Sequence, residues 1–103
     1  MKKIEKLSNK IEAEIESAHE YAKCALEEKE TDPAVAEVYY KIATNHLNDM
    51  SALHTQVVAI INDYRKERGE PPESMKMLYN ILHKKHIENA AAVKGMLALY
   101  KEP

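Results

Sequence analysis

The sequence has one cysteine, Cys24, which excludes an internal disulfide and any metal site built from thiolates alone. A reducing, cytoplasmic setting is the expectation that fits. No window approaches the ~18 uninterrupted apolar residues of a membrane span. At the N-terminus the charges of Lys2, Lys3, Glu5, Lys6 and Lys10 recur before an apolar stretch of signal-peptide length can form. Charge of one sign is also missing: 15 Lys and Arg stand against 17 Asp and Glu, a net −2 that gives no field for nucleic acid or an anionic membrane. The short basic run from Leu82 to His86 is too small to change that and at most marks an anionic partner. There is no glycine-rich phosphate loop, no serine or cysteine nucleophile with an ordered base, and no basic face interleaved with aromatics. With two glycines and four prolines in 103 residues, the composition is that of a single helical domain, residues 1–103, with room for one modest core.

What is present is helical periodicity, clearest from Pro33 to Arg68. At ~100° per residue, Val35, Tyr39, Ile42, His46, Asp49, Leu53, Val57, Ile60 and Tyr64 fall in one strip roughly 80° wide. A second strip about 95° away holds Ala36, Ala43, Leu47, Met50, His54, Val58 and Ile61. Two apolar strips predict a central helix burying two faces, with the rest of the chain packed onto it. At 36 residues it is ~54 Å long, long enough to leave apolar surface for self-association, most simply as a two-fold homodimer.

The flanking segments are simpler. From about residue 3 to 30, Ile4, Leu7, Ile11, Ile15, Ala18, Ala22 and Ala25 form one seam that thins from isoleucine to alanine and invites close approach. Thr31-Asp32-Pro33 closes this helix and opens the next, with Asp32 as N-cap and Pro33 at the first helical position. The central helix ends at Gly69, after the basic residues Arg65, Lys66 and Arg68 and before Pro71-Pro72. A third helix, about 73–100, gathers Met75, Leu78, Tyr79, Leu82, His86, Asn89, Val93, Met96, Leu97 and Tyr100 on one strip, with Gly95 marking close packing. Two short turns make this an all-α, up-down-up three-helix bundle.

The chemical lead lies in the polar residues of these strips. A buried histidine or carboxylate needs a partner, because leaving it unpaired costs several kcal/mol or neutralises it. His46 and Asp49, three apart, converge on one patch where they can hydrogen-bond across a helix interface or hold one ion. With the hairpin centred near residue 31, Glu16 is level with His46. In the third helix His86 and Asn89 repeat the spacing, and His86 is nearly level with His54, ~15 Å along the axis from His46. His86 reads as structural, and His19 and His83, at strip edges, as solvent-facing. Tyr40 is the tyrosine closest in sequence before His46 that offers a phenol for redox work, or simply a packed ring.

Over its first 60 residues the chain resembles the first helical hairpin of the ferritin-like superfamily, in particular rubrerythrins and half-ferritins. The Asp-Pro turn and the stretch KIATNHLND carry the likeness. The resemblance implies a first-helix Glu and a Glu-x-x-His motif facing a bundle that holds a carboxylate-bridged di-iron centre. By position these fall on Glu16, His46 and Asp49, so that the motif reads His-x-x-Asp and no second motif follows in the third helix. Glu16 lies roughly 130° from the centre of its helix's apolar strip, while Glu12 and Glu14 lie nearer the seam. Two copies around a dimer axis would supply four carboxylates and two imidazoles, the inventory of a ferritin-like site for iron or manganese. With one cysteine, no rubredoxin-like module accompanies it.

Two readings follow. One is a ferritin-like metal-binding protein, with oxidase or ferroxidase activity, using Glu16, His46 and Asp49. The other is a non-enzymatic module that dimerises or docks on a protein partner, with His46, Asp49, His86 and Asn89 as register-fixing hydrogen-bonding groups.

Overall fold

The structure, a computed structural model, describes residues 2–103 as three helices with no strand among them: α1 (Lys2–Glu28), α2 (Pro33–Arg68) and α3 (Glu73–Lys101). The breaks follow local chemistry. The Val35 amide donates to Asp32 Oδ1 at 3.3 Å, and Pro33 begins α2 without an amide hydrogen to satisfy. At the far end Gly69 adopts φ 78°, a left-handed conformation that glycine reaches without steric cost, and its amide donates to the Arg65 carbonyl at 3.0 Å. Glu70 then lies 3.6 Å from Arg65 Nε and 3.1 Å from Lys76 Nζ, tying the two arms of the Pro71-Pro72 elbow.

The helices run antiparallel in sequence, and the molecule is 55 Å along its longest dimension. That matches the ~54 Å expected of α2 alone. The packing, however, is organised around α1. Its seam is buried throughout, from Ser8, Ile11 and Ile15 to Ala18, Ala22 and Ala25. One side of that seam meets Ala36, Ala43, Leu47, Met50 and Val57 of α2, and Ala90, Val93 and Leu97 of α3 complete the same core. The backbones of α2 and α3 approach each other hardly at all. The reason lies in side-chain size. Alanines let α1 and α2 come close, whereas the facing positions of α2 and α3 carry rings: Tyr40 against Tyr100, centroids 4.9 Å apart, and His54 against His83, also 4.9 Å.

This corrects the expected role of α2 in two respects. α1, not α2, is the shared partner. Of the two strips on α2, the one led by Ala36 and Ala43 enters the core. The strip holding His46 and Asp49 lies along the flank except at Val57, which is buried in the core; Val35 and Asp49 are exposed, and Tyr39, Ile42, Leu53, Ile60 and Tyr64 are half-buried. The outer face of α3 leaves Met77, Leu78 and Ile81 more than half exposed. Gly95 faces open space, so it marks no close approach.

Candidate functional site

Four residues before Ala18 on α1, Glu14 sits on the edge of the buried seam, and across from it on α2 is His46. The His46 Nδ1–H donates to Glu14 Oε2 at 2.6 Å, with both side chains roughly three-quarters covered. Asp49, one turn further along α2, completes the group: one ligating atom from each of Glu14, His46 and Asp49 lies within 4.8 Å of the other two. Asp49 is exposed, so the cluster opens to solvent on that side. The back of the imidazole is closed by Tyr21, whose ring stacks on it at 5.6 Å and 18°, with Tyr39 packed beyond at 6.0 Å.

Of the expected trio Glu16, His46 and Asp49, the structure brings His46 and Asp49 together and places Glu14, not Glu16, beside them. Two residues along a helix are ~200° apart. Glu16 points instead into a groove between α1 and α3, beside Glu12, His19, Glu20 and Asn89. The hairpin pairs residue 14 with 46, so the level of His46 falls two residues earlier on α1 than the expected Glu16. Tyr40 also lies away from His46: it stacks on Tyr100, and Lys101 Nζ sits 4.4 Å from its ring centre. The phenol at the cluster is Tyr21. Helical phase offered the signal that spacing carried over from a family did not, because Glu14 and Tyr21 are seven apart and share one side of α1.

Further along the bundle is a second polar group. His54 Nε2 and His83 Nδ1 are 3.0 Å apart, one nitrogen donating and the other accepting, and Tyr79 stacks on His83 at 5.5 Å. His83 is thus half-buried and engaged with α2, not turned to solvent as its strip position suggested. His86, one turn on, is buried, in line with a structural role, while His19 is exposed as expected. Burial lowers the affinity of both His54 and His86 for a proton, and the charge of His83 lowers that of His54 further. From α1, Glu12 faces this region and accepts from Lys85 Nζ at 2.6 Å, a bond that holds the Glu12 carboxyl below its usual range.

At the opposite end from the interhelical tyrosines, α3 leaves α1 and α2 across a cavity of about 290 Å³ lined by Ile4, Ile61, Tyr64, Met75, Leu78 and Leu82, among others. No helix among the described residues is long and apolar enough to cross a membrane. No family model, curated protein or solved structure matches the chain.

Proposed function

We propose that this protein binds a divalent metal ion, iron or manganese, between α1 and α2 through Glu14, His46 and Asp49. One observation carries the reading: these three side chains, from both arms of the hairpin, bring ligating atoms to within 4.8 Å of one another. Around an ion with ligands at ~2.1 Å, donor atoms are separated by ~3 Å when adjacent and ~4.2 Å when opposed. Small side-chain rotations therefore suffice to close the group. Two carboxylates and an imidazole suit iron and manganese by ligand type, and three protein ligands leave positions open to solvent or substrate.

In such a site Glu14 and His46 exchange their hydrogen bond for bonds to the ion, and Asp49 closes the group from the solvent side. Tyr21 fixes the plane of the imidazole. Iron or manganese held there supplies one-electron chemistry with oxygen or peroxide as co-substrate. The half-buried flank of α2 on which His46 and Asp49 lie suits a two-fold contact with a second copy. That dimer gathers four carboxylates and two imidazoles, the ferritin-like inventory, now with Glu14 in place of Glu16.

Elemental analysis and anaerobic Fe(II) or Mn(II) titration test this reading. Wild type and Glu16→Gln should bind the ion, and Glu14→Gln, His46→Ala and Asp49→Ala should lose it. No ion in the wild type, or loss in Glu16→Gln with retention in Glu14→Gln, would overturn it. The 2.6 Å bond between His46 and Glu14, which satisfies both groups without an ion, favours a second reading. In that reading the cluster fixes hairpin register in a helical interaction module, and the same variants change stability or oligomeric state with no metal bound.

A further inference from the structure

We infer that His54 and His83 form a separate binding site for a nitrogen-seeking divalent ion, zinc(II) or copper(II), which bridges α2 and α3. The two nitrogens come from different helices and lie 3.0 Å apart. Two imidazoles bound to one ion at ~2.0–2.1 Å hold their nitrogens ~2.9 Å apart at a right angle and ~3.4 Å apart at the tetrahedral angle. The observed separation falls between these values. The rings are inclined by only 21°, so a modest turn of each about its Cβ–Cγ bond converts a mutual hydrogen bond into two bonds to a shared ion.

The surroundings favour such an ion over a carboxylate-seeking one. Tyr79 stacks on His83 and limits how that ring can turn. Glu12, the carboxylate that acts on neighbouring His86, is engaged by Lys85. The donors are therefore imidazoles with solvent, a set that suits copper, zinc and nickel and not magnesium or calcium. Both rings must be neutral at the binding nitrogen to accept an ion, and burial already disfavours the charged form of His54.

The consequence for the fold is specific. The backbones of α2 and α3 scarcely meet, so an ion held by one ligand from each would be a strong direct link between them. Since it binds the docked arrangement and not a separated one, it stabilises docking by mass action.

Thermal unfolding with zinc chloride is the first test. At zinc tenfold above its Kd the wild type should melt about 5–10 °C higher. His54→Ala and His83→Ala should show no such rise, and His46→Ala, altered only at the Glu14 cluster, should keep it. Circular dichroism of each variant without metal checks that the helices remain. If a histidine-to-alanine variant unfolds, His83→Asn, which retains hydrogen-bonding capacity, replaces it and should likewise lose the zinc response.

Copper(II) paramagnetic resonance gives an independent readout. Two coupled nitrogens, lost together on His83→Asn, mark this site, whereas one nitrogen lost on His46→Ala marks the Glu14 cluster. A zinc response unchanged by substitution of His54 and His83, or no zinc response in the wild type, would overturn the inference. Neither result bears on iron or manganese at the Glu14 cluster, so the two sites stand or fall separately.

Discussion

Two seams of this bundle, α1 with α2 and α2 with α3, are built differently. Between α1 and α2 the contact is made by small apolar side chains, Ala18, Ala22 and Ala25 facing Ala36 and Ala43, all essentially without solvent exposure. Between α2 and α3 it is made by side-chain tips: Tyr40 with Tyr100, His54 with His83, and the Tyr100 hydroxyl donating to Glu37 at 2.9 Å. A seam of alanines is sensitive to volume and indifferent to pH. A seam of imidazoles and phenols should be the reverse.

The largest expected effect comes from emptying the core that all three helices share. Ile11 is 1% exposed, and Ile11→Ala should cost about 2–5 kcal/mol, measured by urea or thermal unfolding. Filling the alanine seam should come next. Ala43→Leu forces α1 and α2 apart for about 1–3 kcal/mol. An equally large residue at exposed Ala92 of α3, beside the α1–α3 groove, should change little, and equal costs at the two positions would mean that the alanine seam is not tightly packed.

Acid gives a smaller, selective effect. His54 and His86 take up protons less readily when folded than the ordinary imidazole, near 6.5, so the unfolded chain binds more protons. Stability that is full above that value should decline as pH falls through and below it. The groups facing these rings are His83 and Lys85 on α3, with Tyr79 stacked on His83, and Glu12 on α1. Hydrogen-exchange protection, taken relative to the intrinsic exchange rate at each pH, should be lost in α3 before α1 or α2 when the pH is lowered from 7.5 to 5.5. A uniform loss of protection would mean that the rings do not govern docking.

The alkaline side should show the smallest change. Partial desolvation, then the hydrogen bond to Glu37, holds the Tyr100 hydroxyl above its ordinary value near 10, so the unfolded chain loses that proton first. Stability present below about pH 10 should therefore diminish above it. Tyr100→Phe should remove that dependence while barely moving the neutral-pH melting temperature.

Much of this architecture is legible in the residues. Asp32-Pro33 and Gly69 with Pro71-Pro72 mark the helix boundaries because each does something a helix interior cannot accommodate. The single seam of α1 leaves one choice of inward face. α2 is different: its two strips are equally apolar, and only the partners decide which is buried. Alanine-led packing against α1 selects the Ala36 strip and turns His46 and Asp49 to the flank. The candidate site was legible in half, since His46 and Asp49 were found by their spacing on one helix. Glu14 depends on hairpin register, where an offset of two residues along α1 exchanges it for Glu16, a carboxylate on the other side of that helix. His83 was missed for a related reason: the rotation of α3 is set by Ala90, Val93 and Leu97 meeting α1, which one helix's pattern cannot reveal.

That α1 is the common partner also bears on the order of assembly. The bonds joining α3 to α1, such as Lys85 to Glu12 and Lys29 to the Glu102 carbonyl, each span 73 residues of chain. The α1–α2 hairpin closes over a three-residue turn plus its cap. Short closures form sooner than long ones. Nascent chain leaving a ribosome can thus assemble the hairpin, with the Glu14 cluster inside it, before α3 has been synthesised. The third helix then arrives at a surface already made.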